Sequence, residues 1–365
     1  MAYSTIQNMH KRIAEEQTKT RALIKQALAT KNNTYTSGKV GQGSGQHVLV
    51  LGGTGYIGMA LVPELSERGY KPVVLSRRAE AMQEYPQAEV VVGEVSQKAD
   101  VEKVFGAFPV QAVITLLSSR RPNDEEECRR VDYQSNINAI QVGAERGLKH
   151  FIHISDYGCY RPELLPQVYK LQVEGELIGQ HHGAVNYSIV RPTSYYPYLA
   201  INFGEVQNDK SCRLFDHGEW AMCNPISREN LSEFIVNLLF RENNYGRIFP
   251  VGGPWVEDNI CTLKRANELL FAVLEKPEKF TIVQMKAWER RIKIIKTIGL
   301  VSPMFKRIAF YLEAAKYWSV VSHFAPPYGN DTFKEYLVKL KTSGYNAGTF
   351  RDRMKSGTNM TPTHI

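Results

Sequence analysis

Three glycines, at positions 52, 55 and 58, follow the apolar run HVLVLG of residues 47–52 and open an amphipathic stretch. Binding of a dinucleotide needs this arrangement. Gly52 permits a sharp turn, Gly55 lets the main chain approach a pyrophosphate, and Gly58 lets a helix pack close to the sheet. The helix N-terminus then presents N–H groups and its dipole to the anion. Gly52, Gly53, Thr54, Gly55, Tyr56, Ile57 and Gly58 are therefore the candidate cofactor contacts. A glycine-rich turn that binds nothing would carry the same residues, and the strand–turn–helix context is what favours the phosphate reading. The next apolar strand ends in Leu75-Ser76-Arg77-Arg78, with no acid before Glu80. An NAD site usually places a carboxylate there for the ribose 2′-hydroxyl, whereas Arg77 and Arg78 suit a 2′-phosphate. The expected cofactor is NADPH.

Carbonyl reductases of the short-chain type carry Tyr-x-x-x-Lys, in which the tyrosine donates a proton to a developing alkoxide and the lysine holds the nicotinamide ribose. In LPQVYK, residues 165–170, the lysine is present but Pro166 stands at the tyrosine's place. Lys170 remains a candidate for the ribose, and ordinary carbonyl reduction is disfavoured. Pro192 leaves a buried-looking strand where a nicotinamide would lie. It is followed by Tyr195, Tyr196, Tyr198 and Phe203, which suit either the wall of a flat apolar substrate or a second core.

The elements that must position these groups alternate along the chain. Apolar runs at 47–52, 72–76, 89–93, 110–117, 149–155 and 186–190 are separated by helical spacing at 56–69, 99–106, 127–146 and 164–182. Continuous rather than alternating apolar strands indicate a parallel sheet covered on both faces. The expected fold is α/β, a doubly wound parallel Rossmann sheet with a smaller, mostly helical C-terminal substrate region and an N-terminal helical arm. Beyond Pro192 the spacing predicts a helix over 227–241, a strand over 247–251, and helices over 261–275 and 285–322. The expected organisation is an arm and linker over 1–45, an NADPH-binding core over 46–192, a substrate-covering region completing the sheet over 193–345, and a tail over 346–365.

With 365 residues, 43% of them hydrophobic, the chain can bury a substantial core. No apolar stretch approaches the roughly 20 residues of a membrane span, and the first 30 residues lack the apolar block of a secretory leader. Five cysteines, none in a C-x-x-C pair, suggest reduced thiols in a reducing compartment and no metal site. The net charge of +8 suits anionic partners but is not clustered enough for nucleic acid. Residues 285–307 hold seven Lys/Arg against one Glu, with Trp288, Ile292, Ile295, Ile298 and Leu300 interleaved. That pattern fits either a helix lying on an anionic membrane surface or one whose apolar face packs on the body.

Taken together, Gly52–Gly58, Leu116–Arg120, Val131–Asn138, Lys170–Leu177, Tyr187–Thr193, Cys223–Ile235, Pro250–Pro254 and Pro327–Thr332 resemble the divinyl chlorophyllide 8-vinyl reductase family of atypical short-chain dehydrogenases. The resemblance runs from about His47 to about Gly344. Its most specific runs are YSIVRPT at 187–193, NPISRENL at 224–231 and PVGGP at 250–254. It implies NADPH-dependent reduction of a vinyl group on a chlorophyll-type tetrapyrrole in a plastid, with Ser118 among the cofactor contacts. No alkoxide forms in such a reaction, so the tyrosine missing at 166 is less of a loss. A proton donor is still needed, and Tyr157, Tyr195 and His153 all remain open. The loop at 156–161 departs from the family pattern, and the arm at 1–45 is foreign to it. Both favour an alternative, a non-catalytic NADPH-binding subunit or assembly factor of a large bioenergetic complex, reached through the arm.

Overall fold

A computed structural model describes residues 35 and 37–345. The helical spacing expected over 1–30 and the tail over 346–365 lie outside the described residues. Among the described residues the chain forms two compact units, 37–192 with 228–251, and 193–227 with 252–345. It crosses between them at 192/193, 227/228 and 251/252.

The first unit is built on a seven-stranded, all-parallel sheet. Its strands are β1 (His47–Leu51), β2 (Lys71–Ser76), β3 (Glu89–Val92), β4 (Val110–Thr115), β5 (His150–Ile154), β6 (Tyr187–Pro192) and β9 (Arg247–Val251). They lie in the order β3-β2-β1-β4-β5-β6-β9. The order reverses between β1 and β4, where Leu51 is level with Thr115. Val48–Leu51 and Val73–Leu75 are buried throughout, as continuous apolar strands with both faces covered must be. Helices Gly58–Glu67, Lys98–Ala107, Ser135–Glu145 and Leu165–Gly179 lie between consecutive strands. Leu49, Val73, Val101, Val113, Ile140 and Val173 belong to one continuous core. The segment from Arg228 returns to this unit because its helix, Arg228–Leu238, packs on helix Gly58–Glu67 and β9 pairs with β6.

Within the expected linker, residues 38–43 are tied to the same unit. The Gly38 N–H donates to Glu233, the Val40 N–H to Asn237, and the buried Arg68 guanidinium to the carbonyls of Val40 and Gly41. The helix expected over 127–146 is interrupted. A π-helical stretch, Arg129–Gln134, separates Glu125–Cys128 from Ser135–Glu145.

The second unit holds two small sheets. β7 (Cys212–Phe215) runs parallel to β11 (Phe280–Val283), and β8 (Met222–Cys223) antiparallel to β10 (Cys261–Thr262). Tyr196, Phe203, Leu269, Leu270, Phe333 and Leu337 form its main core. Tyr196 and Phe203, two of the aromatic cluster after Pro192, are therefore packing residues, while Tyr198 is largely exposed. The expected helix over 285–322 is two, Met285–Gly299 and Pro303–Val320, broken where Pro303 starts the second at its first position.

The runs that carried the family resemblance meet here. Buried Asn224 donates to the carbonyls of Gly253 (2.8 Å) and Ala325 (3.0 Å) and accepts from the Ala325 N–H (3.0 Å). Buried Asn259 donates to the carbonyls of Pro225 and Pro254 and accepts from the Phe333 N–H. A Cβ on Gly252 would lie 2.3 Å from the Asn224 side chain, and one on Gly253 2.0 Å from the Pro225 carbonyl oxygen. These motifs read as a polar knot closing the unit. Replacing Asn224 by Ala strips three hydrogen bonds and takes this partner from the Gly253 carbonyl and the Ala325 N–H, while the Ala325 carbonyl keeps the Trp255 indole, at a cost of about 3 kcal/mol. Thermal denaturation of Asn224→Ala is expected to show a fall in Tm of roughly 5–10 °C.

Candidate dinucleotide site

The turn Gly52–Gly58 lies where the sheet order reverses. Gly52 has φ +82°, a left-handed backbone that side chains rarely adopt, and a Cβ there would also lie 3.2 Å from the Leu116 carbonyl at the end of β4. The Leu116 N–H in turn donates to the Leu51 carbonyl, locking the two strand ends together. Gly58 is the more demanding position. A Cβ would stand 2.1 Å from the Gly53 carbonyl oxygen, so only glycine lets the helix begin this close to the strand. At Gly53 the constraint is milder, since a Cβ would lie 3.0 Å from the Val74 side chain. Thr54, Tyr56 and Ile57 complete the turn, and the Tyr56 ring lies 5.3 Å from the guanidinium carbon of Arg228. The Met59, Ala60 and Leu61 amides close onto the carbonyls of Gly55 and Ile57, and the glycines at 52, 53, 55 and 58 let an anion approach the main chain of the turn at the helix N-terminus. These features fit the diphosphate of a dinucleotide.

Arg77 and Arg78, at the end of β2, are both well exposed and both already engaged. Arg78 makes a forked pair with Glu84, at 2.9 and 2.6 Å, and Arg77 stands 3.6 Å from Glu94. Glu84 and Glu94, further along the chain, are thus folded back onto the arginines. A 2′-phosphate at this position would exchange one anionic partner for another.

Lys170 is buried on helix Leu165–Gly179, and its Nζ donates to the carbonyls of Leu117 and Ile154, each at 2.9 Å. It therefore bridges the ends of β4 and β5 and keeps one of its three donors for another acceptor. Pro166 sits in the first turn of this helix, where its missing N–H costs nothing. No phenol can be presented from that position. Ser118 is exposed between two anchors, the Leu117 carbonyl held by Lys170 and the Ser119 N–H held by Asp132. Tyr157 opens a short 3₁₀ turn just beyond β5, and its ring meets the edge of Tyr160 at 5.1 Å. The Tyr160 ring in turn lies over the Arg191 guanidinium at 4.3 Å. Pro192 ends β6, level with Val251. Tyr195 belongs to the other unit, where its ring lies 6.1 Å from Tyr198. His153 is buried within β5 with neither ring nitrogen hydrogen-bonded, and burial holds its imidazole neutral, far below the usual histidine range.

Two buried carboxylates escaped the sequence reading. Asp132, carried inward on the π-helical stretch, accepts the Ser119 N–H at 3.2 and 3.3 Å. Burial pushes its carboxyl up to about 6, against the opposing pull of the Lys170 ammonium. Glu174, one turn beyond Lys170, makes a forked pair with Arg191 at the end of β6 and accepts the Ser155 hydroxyl. A signal was available for it. Gln167, Lys170 and Glu174 recur at helical spacing on the face that also buries Val173 and Leu177, where an ordinary core helix would be apolar throughout.

A side-chain-free cradle at the reversal point of a parallel sheet defines a dinucleotide-binding protein of the doubly wound class. The chain belongs to the NAD(P)H-binding family, whose sequence pattern matches residues 52–242. The cofactor is accordingly a nicotinamide dinucleotide. Among named relatives, the chain is similar to divinyl chlorophyllide a 8-vinyl-reductase, chloroplastic, of Arabidopsis thaliana. The two are 28% identical over 326 residues, which is 82% of this chain and 77% of the relative, so the resemblance read from the motifs holds. Similarity to the photosystem II assembly factor Ycf39 of Trieres chinensis is weaker, 22% over 222 residues, covering 59% of this chain and 67% of that one. Among solved structures, Thermus thermophilus UDP-glucose 4-epimerase in complex with NAD matches with a TM-score of 0.55 at 19% identity. It covers 66% of this chain and 86% of its own, and that likeness shows the fold.

Two outcomes test the site. Gly58→Ala forces the turn apart at an overpacking cost of about 1–3 kcal/mol, so calorimetric titration is expected to show dinucleotide affinity reduced about 10- to 100-fold. Asp132 has its folded-state pKa raised, so its contribution favours folding most at low pH and is lost as pH rises through about 6. Asp132→Asn cannot ionise. Its stability relative to the parent is expected to climb by about 2–3 kcal/mol between pH 4 and pH 7, read from urea unfolding across that range.

Proposed function

We propose that this chain is an NADPH-dependent oxidoreductase that reduces the 8-vinyl group of a divinyl chlorophyllide-type tetrapyrrole to an ethyl group, within a plastid. The observation that carries the reading is the similarity to the plant 8-vinyl-reductases, which spans both the dinucleotide unit and most of the remaining chain. The chemistry is consistent with Pro166. Reduced nicotinamide supplies a hydride equivalent, and addition to a vinyl group conjugated with a macrocycle leaves charge spread over the ring instead of on an oxygen. A tyrosine at 166 stabilising an alkoxide is not required. In this reading the turn at Gly52–Gly58 holds the diphosphate, Arg77 and Arg78 take the 2′-phosphate, and Lys170 offers its remaining donor to the nicotinamide ribose. Ser118 and Pro192 border the nicotinamide, and Tyr157 or Tyr195 delivers the proton to the second vinyl carbon.

A second reading rests on the similarity to the photosystem II assembly factor: a non-catalytic dinucleotide-binding subunit of a larger complex. The two differ in one assay. Purified chain supplied with NADPH and divinyl chlorophyllide is expected to convert the pigment to its ethyl form, followed by the shift of its Soret band and by mass spectrometry. Dinucleotide bound without turnover, together with co-purification in a large particle, would favour the second reading. Cofactor choice is tested separately. Arg77→Ala combined with Arg78→Ala is expected to weaken NADPH binding about tenfold and leave NADH binding unchanged, in parallel titrations.

A further inference from the structure

We propose that the tip of the helical hairpin formed by Met285–Gly299 and Pro303–Val320 inserts into the surface of an anionic lipid bilayer. The sequence left open whether the apolar residues of this basic region pack on the body or face a membrane. In the structure they divide. Met285, Trp288 and Ile292 are buried with Phe215, Leu312 and Ala315, and the Trp288 indole donates to the Leu312 carbonyl at 3.0 Å. The remaining apolar residues gather at the far end of the hairpin. Ile294 is 58% exposed, Leu300 85%, Val301 87% and Met304 60%. Ile294 and Ile298 stand one turn apart near the end of the first helix, Leu300 and Val301 form the connection, and Met304 lies in the first turn of the second helix, so the exposed groups cluster around the hairpin's turn and are not scattered single residues.

The charge around the patch identifies what covers it. Over 285–307 seven basic residues face one acid, and that acid, Glu289, is already paired with Lys316 at 2.7 Å. Glu313, on the second helix, is likewise taken by Lys296. Arg290, Lys293 and Lys306 have no carboxylate partner among the described residues. An apolar tip collared by cations complements a bilayer with anionic headgroups, where the side chains reach the acyl boundary and the lysines and arginines meet phosphate. A protein partner of ordinary composition would not require the uncompensated collar. No helix among the described residues is long and apolar enough to cross a membrane, so the contact is interfacial.

The test uses the full chain and vesicles of phosphatidylcholine with and without about one third phosphatidylglycerol, at low and at high salt. Co-sedimentation is expected with the anionic vesicles at low salt, with several-fold less binding at high salt or to neutral vesicles. Leu300→Asp with Val301→Asp is expected to lower partitioning at least tenfold, while Lys293→Glu with Lys306→Glu removes the preference for anionic lipid. All four side chains are exposed or unpaired, so the melting temperature and dinucleotide affinity of these variants should stay unchanged, which separates the lipid contact from the fold and from the reaction. Equal binding by the Leu300/Val301 variant would overturn the proposal, because any remaining lipid affinity would then arise elsewhere in the chain. So would failure of the parent to bind anionic vesicles at low salt. If the parent instead self-associates in sedimentation velocity and the tip substitutions abolish that, the patch is an interface between copies and the proposal fails.

Discussion

The helix Gly58–Glu67 can begin as close to β1 as it does only because no side-chain carbon stands between Gly58 and the carbonyl of Gly53. The hold on a dinucleotide's phosphates proposed for this turn follows from that approach. Bringing helix and strand so near sets the helix N-terminus at the place where strand order reverses. The positive φ of Gly52 turns the chain beneath it, and the Leu116 backbone closes the other side. No charged side chain of the turn takes part. The close approaches in the turn are made by main chain, which suits recognition of shape and negative charge.

Around it the strand ends are fastened by charge instead of apolar contact. Lys170 holds two carbonyls, Asp132 holds an amide, and the Glu174–Arg191 pair joins helix Leu165–Gly179 to β6. Buried charges are costly, and a parallel sheet could be closed more cheaply with leucine. They sit at the carboxyl ends of β4, β5 and β6, the rim where ligands of such sheets bind. The polar anchoring therefore lies where a rigid loop with defined donors is useful and a greasy one is not.

Two of the runs that carried the family resemblance, 224–231 and 250–254, pack against each other. Asn224, Gly252, Gly253 and the chain around Ala325 fit each other so closely that few residue types are tolerated, yet their polar atoms are spent on one another. A motif of this kind marks kinship reliably because its packing is exacting. It says little about chemistry.

Much of this was legible in the residues. Continuous apolar runs foretold the parallel sheet, because a strand buried on both faces has no polar side to alternate. The glycine spacing foretold the turn, since each of those positions excludes a side chain for a local reason. Helix boundaries came within a few residues, except where a π-helical stretch or the Gly299-x-x-x-Pro303 break interrupted a periodic pattern that otherwise continued. What the sequence could not reveal were the pairings between residues distant along the chain. Glu84 and Glu94 lie on Arg78 and Arg77, Asp132 reaches Ser119, Glu174 finds Arg191, and one apolar stripe of the basic hairpin divides into a buried base and a bare tip. Local periodicity records which face of an element is apolar, a property of neighbours in sequence. Which charge meets which, and which apolar group is left over, depends on how those faces are brought together, and only the tertiary structure decides that.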